Sequence, residues 1–221
     1  MTAELSVLEA INTTRSLRRF KPDPIPADIL YQLIQAATRA PSGSNSQRWR
    51  FLVVQNHEAR KKVGDVYKAS WAEYSPPGRL AAITNPAERR RVETAIHLSE
   101  TMGTEPPVLV VFCSPKAAPS SNPAKALTDA RTAGASIYPA LQNMLLAARA
   151  HGIGGCLTTI HLFREAELKS ALGIPDDVDT YAIVPLGYPT DNFGPLRRKP
   201  VEEVSYLDHW GSPLMAPPSG D

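Results

Sequence analysis

The hydrophobic and polar positions divide the chain into six helical stretches and four short strands. Ser6-Val7-Leu8-Glu9 is a capping-box pattern that opens a short helix ending near Thr14. Pro24 and Pro26 precede Ile29, Leu30, Leu33, Ile34 and Ala37, which share one face of a second helix. Pro41-Ser42-Gly43-Ser44-Asn45-Ser46 then breaks the pattern with turn formers. Residues 51–54 read as a buried strand, 58–72 as a helix, 74–86 as a proline-rich excursion and 87–102 as a charged helix. A second strand runs from Pro106-Pro107 through Phe112, followed by a surface loop over 114–123. Residues 133–151 form the longest helix, apolar almost all round through Leu141, Met144, Leu145 and Ala148, with Gly152 as its C-cap. Residues 157–160 fit a short strand, 164–172 a helix and 181–186 the last strand. Beyond Gly187 the tail holds six prolines and little periodicity. Helices outnumber strands and the order is not strictly alternating, which predicts an α+β fold.

Composition narrows the function classes. Of 221 residues 43% are apolar, enough for the core of one ordinary domain or at most two small ones, and a single domain over 1–221 is expected. Basic residues number 24 against 22 acidic, so net charge gives no reason to expect nucleic acid or an anionic membrane as partner. A 21% charged fraction belongs to a folded chain rather than a disordered one. The start lacks a basic segment and an apolar core, and the longest apolar run is far too short to span a bilayer; the cytoplasm is the expected location. Cys113 and Cys156 both sit in apolar stretches and read as small buried hydrophobes.

Several standard constellations fail. Gly152-Ile153-Gly154-Gly155 follows a helix instead of a strand and lacks the third spaced glycine of a dinucleotide fingerprint. The chain has no Walker lysine loop, no HExxH and no G-x-S-x-G elbow. Its five histidines form no i, i+4 pair, so no metal site is expected. The run Arg89-Arg90-Arg91 reads as a solvated helix face. What remains are cation clusters at the two ends, Arg15-Ser16-Leu17-Arg18-Arg19-Phe20-Lys21 and Arg197-Arg198-Lys199. Together they supply the donors that a phosphate dianion needs, at roughly 1.5–3 kcal/mol per charge-assisted bond. Between them, residues 40–49 expose backbone N–H groups and the amides of Asn45 and Gln47, a surface able to hydrogen-bond a heteroaromatic edge and a polyol.

Four blocks, taken in order, resemble the FMN-dependent nitroreductase family. They are Arg-Ser-x-Arg-x-Phe, then Ala-Pro-Ser-Gly-x-Asn-x-Gln-x-Trp, then Gly-x-Gly-x-Cys-x-Thr-Thr, and finally Gly-Tyr-Pro with Arg-Arg-Lys-Pro, covering nearly the whole chain from Ile11 to Trp210. The resemblance implies an α+β fold with a central mixed sheet flanked by helices. It also implies a domain-swapped homodimer with FMN at the subunit interface and residues 188–221 wrapping the partner. It assigns Arg15, Ser16, Arg197 and Lys199 to the phosphate. Arg18 takes the N1/O2 edge, where negative charge develops on reduction. Pro41, Ser42, Gly43 and Asn45 become the loop that the partner subunit presents, and Leu157, Thr158, Thr159 and Ile160 the strand end beside N5. No side chain is assigned as catalytic; the flavin itself reacts, with Thr158 and Thr159 nearest N5.

The sequence departs from the family at Thr14, where a basic residue is common, at Arg48, where the usual residue is proline, and at Thr159, where some members carry an acid. The expected activity is transfer of reducing equivalents from NAD(P)H to nitroaromatics, quinones or similar small-molecule electrophiles. Alternatives are a sequestering flavin-binding protein, a flavin-fragmenting branch, and a reductive deiodinase branch. The deiodinase branch grips a zwitterion with Glu, Tyr and Lys; Glu73-Tyr74 lies in that region without the later lysine.

Overall fold

In the computed structural model, which describes residues 5–76, 78–118 and 120–215, one antiparallel sheet lies between two helical layers. The elements run α1 (Val7–Thr13), α2 (Ala27–Ala37), β1 (Arg50–Val54), α3 (His57–Tyr74), α4 (Arg79–Ala82), α5 (Pro86–Thr101), β2 (Val108–Pro115), α6 (Pro123–Thr132), α7 (Ile137–Ala150), β3 (Gly154–Gly155), α8 (Glu165–Leu172) and β4 (Val178–Gly187). The strand order is β1-β2-β4-β3. The named strands all pair antiparallel, and among the described residues the parallel element of the expected mixed sheet is a single bridge between Ser16 and Gly155.

The sheet separates two apolar clusters by the period of two along its central strands. Val108, Val110 and Phe112 of β2, with Ala182, Val184 and Leu186 of β4, face α2 and α7. Leu109, Val111 and Cys113, with Ile183, face α3, α5 and α8 through Val63, Val66, Tyr67, Leu98, Met102 and Leu168. Both faces of β2 are buried, which is why its sequence is an unbroken apolar run. The fold is α+β, as the sequence predicts.

The elements depart from expectation in three places. Residues 157–160 do not form a strand: the pairing lies at Gly154–Gly155, and only Thr158 rejoins the sheet, exchanging both backbone bonds with Ile183. The chain then enters a 3₁₀ turn, Ile160–Arg164, that buries His161. Helix α6 falls in a stretch whose side chains are nearly all exposed; an Asn122 cap and a Lys125–Asp129 ion pair support it, and no apolar stripe marks it in the sequence. Helix α7 accordingly starts at Ile137. The proline-rich excursion also holds α4.

The tail from 188 folds back across the molecule and then leaves it. Val201, Val204, Leu207 and Met215 are exposed, and Trp210 is 90% exposed against the Tyr206 ring. None of the described helices is long and apolar enough to cross a membrane.

Candidate functional site

The segment Arg15–Phe20 is anchored at Leu17 and Phe20, and the cations between and beside these anchors face outward. The Leu17 N–H donates to the Gly155 carbonyl at 3.0 Å, and the side chains of Leu17 and Phe20 are buried. Arg15, Ser16 and Arg19 therefore remain exposed, with Arg18 half-buried. The tail then runs back over this segment. Lys21 N–H donates to the Tyr188 carbonyl at 2.8 Å, Thr190 N–H to that of Arg19 at 3.1 Å, and Leu196 N–H to that of Asn12 at 3.2 Å. Phe193 lies under the Arg149 guanidinium at 4.3 Å, a cation–π contact that holds the crossing. These contacts bring the two ends of the sequence together.

The result is a cavity of about 850 Å³ walled by Arg15, Ser16, Arg18, Arg19, Arg90, Arg91, Arg197 and Arg198. Among the described residues none of these seven arginines makes an ion pair. Of the two acids on the wall, Glu93 is taken by Arg89 at 3.1 Å, which leaves Asp191. Seven guanidinium groups facing one free carboxylate repel one another, and a bound anion relieves that cost. Arg90 and Arg91 come from the run read as a bland helix face. On α5 the cavity residues Ala87, Arg90, Arg91 and Thr94 follow i, i+3, i+4, i+7 spacing, a single helix face. That spacing is visible in the sequence; what the sequence lacked was the position of α5 opposite Arg15.

A second cavity, about 460 Å³, shares Arg18 and Arg91 with the first. Leu157, Thr158, Thr159 and Ile160 form one wall, and Tyr67, Trp71 and Tyr74 of α3 another. The Thr158 hydroxyl donates to the Tyr67 oxygen at 2.8 Å, fixing the threonine from the opposite element. Burial pushes the Tyr67 phenol up to about 12, so it stays protonated through the neutral range. At the mouth the Arg79 guanidinium stands 5.5 Å over the Tyr74 ring. Of this mouth the sequence singled out Arg18 and Tyr74, whereas Tyr67, Trp71 and Arg79 carry no motif of their own and were missed.

Two groups of expected residues lie elsewhere. Lys199 is exposed, and Arg198 rather than Lys199 joins Arg197 on the wall. Pro41, Ser42, Gly43 and Asn45 line neither cavity. Their loop is nevertheless set in shape: Ser44, Asn45 and Gln47 all have positive φ (50°, 51° and 47°), and the Ser42 hydroxyl accepts from Gln47 N–H at 2.8 Å. Non-glycine residues in that region cost of order 1–3 kcal/mol each and persist where surroundings impose them.

Behind Thr158–Ile160 lies a buried polar group. The His161 Nε2 sits 3.1 Å from the Thr180 hydroxyl, and both the backbone N–H and hydroxyl of Thr180 donate to Glu165 Oε1 at 2.7 Å. Burial pulls the His161 imidazole down to about 4, against the field of Glu165. Burial pushes the Glu165 carboxyl up, but the Thr180 bonds and the charges of Lys169 and His161 outweigh it and hold the group below its ordinary value.

The model that describes the Nitroreductase family matches residues 11–188. An NADH dehydrogenase of Thermus thermophilus is 30% identical over 208 residues, covering 92% of this chain and 98% of that protein. An iodotyrosine deiodinase of Thermotoga neapolitana is 31% identical over 192 residues, covering 86% and 90%. Among solved structures, an FMN- and NADPH-dependent nitroreductase from Sphigopyxis sp. strain HMH superposes with a TM-score of 0.69 at 22% identity, covering 93% of this chain and all of that one.

Proposed function

The chain belongs to the nitroreductase family, and from that premise we propose that it is an FMN-dependent oxidoreductase passing reducing equivalents from NAD(P)H to nitroaromatics, quinones or related electrophiles. One observation carries the reading: a cavity whose arginines make no ion pair among the described residues shares Arg18 and Arg91 with a second cavity walled by Leu157–Ile160 and aromatic rings. An anionic tail with a flat heteroaromatic head fits that pair of sites, and FMN has both. Arg15, Ser16 and Arg197 would hold its phosphate, Arg18 its N1/O2 edge, and Leu157, Thr158, Thr159 and Ile160 would lie along the ring. When bound, the flavin supplies the electron transfer between nicotinamide and acceptor.

The protein's own residues position and tune. Arg18 places a fixed positive charge at the junction of the cavities, where it stabilises negative charge on the ring edge. Thr158, locked by Tyr67, offers a buried hydroxyl at the wall. Pro41, Ser42, Gly43 and Asn45, remote from both cavities but pre-shaped, reach the flavin of a second subunit in a homodimer. The exposed apolar tail, Trp210 foremost, supports that assembly, since a partner subunit would cover it.

Reductive dehalogenation, the activity named for the Thermotoga neapolitana relative, is the rival chemistry. The Glu73 carboxylate pairs with Arg164 and no lysine lines the aromatic cavity, so of the expected Glu, Tyr and Lys set only Tyr74 stands on the described wall, where the charged groups are Glu88 and arginines. Anaerobic mixing with NADH, NADPH and a reduced deazaflavin, followed at the flavin absorbance, tests the reading. Bleaching by a nicotinamide and recolouring by a quinone or nitroarene is the expected result. Protein that stays yellow with every donor is a flavin-binding module instead.

A further inference from the structure

Arg19, Arg90, Arg91 and Arg198 remain on the wall after the flavin has been given its contacts, and two of them, Arg90 and Arg91, stand together on one helix. A phosphate dianion is satisfied by two or three good donors, which Arg15, Ser16 and Arg197 supply. Yet α5 adds two more guanidinium groups to the same cavity, and it does so selectively. Arg89, on a different face of the helix, bonds Glu93 at 3.1 Å and the Leu80 carbonyl at 3.3 Å. Arg90 and Arg91, on the cavity face, have no acidic partner among the described residues. By engaging Glu93, Arg89 also removes the one acid of α5 on that wall. Arg91 lines both cavities and so stands between the anionic end and the aromatic end.

We propose that Arg90 and Arg91 form a second phosphate subsite, separate from the one that holds the flavin phosphate, and that it binds a phosphoryl group of the exchangeable nicotinamide donor. The inference rests on the flavin reading above. Two binding partners must share one opening, the flavin permanently and the donor in turn, and both are phosphorylated. A cavity of about 850 Å³ has room for more than a single phosphate group. The positive charge of the α5 face is left uncompensated until the donor arrives, so the subsite contributes binding energy to the donor alone and gives a neutral acceptor nothing.

The test uses the full-length, FMN-loaded protein in its oxidised state, with 2′,5′-ADP, 5′-ADP and adenosine as probes and calorimetry as readout. The phosphorylated probes are expected to bind and adenosine is not. Arg90→Gln and Arg91→Gln should each weaken the phosphorylated probes by about tenfold or more, with one FMN per subunit retained; Arg90→Lys and Arg91→Lys should recover part of the loss. Preference for 2′,5′-ADP identifies a phosphomonoester, and preference for 5′-ADP a pyrophosphate; either supports the subsite. Unchanged probe binding in both Gln variants overturns it. So does loss of FMN from those variants to the extent seen in Arg15→Ala, because the two arginines would then belong to the flavin clamp. Wild-type protein that binds the probes through Arg90 and Arg91 but never binds FMN would sink the flavin reading and leave the subsite standing.

Discussion

Gly155→Ala should damage the proposed flavin site from beneath without touching any residue that faces the cavity. Gly155 is buried, pairs with Leu186 of β4, and its carbonyl accepts the Leu17 N–H that aims Arg15, Ser16 and Arg18 outward. A Cβ there would stand 2.7 Å from the Pro185 carbonyl oxygen, 3.0 Å from Leu186 Cδ2 and 3.1 Å from Leu145 Cδ2. All three lie inside the separation of about 3.5 Å at which non-bonded heavy atoms rest. The leucine ends can turn, but Pro185 is fixed in the β2–β4 ladder opposite Leu109. The short strand β3 must therefore move away, taking the Leu17 anchor with it. Overpacking of this kind costs about 1–3 kcal/mol, or a Tm lower by about 4–8 °C at 2 kcal/mol for a chain of this size. Urea unfolding of the flavin-free protein reads the first effect, and an FMN titration reads the second. Gly194→Ala, where a Cβ meets nothing within 4 Å, is the control and should stay within about 0.5 kcal/mol of wild type. Equal stability and equal FMN affinity for the two variants would refute the claim that close packing at Gly155 aims the arginine segment.

Acid should weaken the fold through His161. Its native pKa of about 4 lies below the ordinary 6.5, so above pH 6.5 neither state binds the proton. As pH falls from 6.5 toward 4 the unfolded chain takes it up and the native state does not, costing up to about 3 kcal/mol. Urea midpoints measured from pH 7.5 to 4.5 should show this slope in wild type and a flatter one in His161→Gln; parallel slopes contradict it. Cutting the chain after Pro200 removes Tyr206, Trp210 and the other exposed apolar residues of the tail, and should give insoluble or FMN-free protein. A soluble yellow monomer, seen by light scattering, would dismiss the tail exchange.

What the sequence disclosed follows from how each feature is encoded. Strand β2 and helices α2 and α7 are legible because burial imposes an apolar pattern on them. Helix α6 buries no side chain and leaves no such mark. The strand at Gly154–Gly155 is hidden because its residues were chosen for lack of a side chain, so they carry no strand propensity. Arg15, Ser16, Arg18 and Arg197 stood out as local clusters flanking a distinctive loop. The place of Arg90 and Arg91 on the cavity wall was not legible, because it depends on where α5 packs relative to residues some 75 positions earlier. The aromatic mouth of Tyr67, Trp71 and Tyr74 is likewise a product of tertiary packing.

On the proposed reading the arginine cavity holds the phosphate of a flavin. Comparing FMN with riboflavin tests it most directly, since the two differ only in that phosphate. Flavin-fluorescence titration of the flavin-free protein should show FMN binding at least about a hundredfold tighter than riboflavin, as two charge-assisted bonds would give. In Arg15→Ala the FMN affinity should fall about tenfold or more while that of riboflavin stays put, narrowing the ratio. Equal affinity for FMN and riboflavin in the wild-type protein would contradict the account.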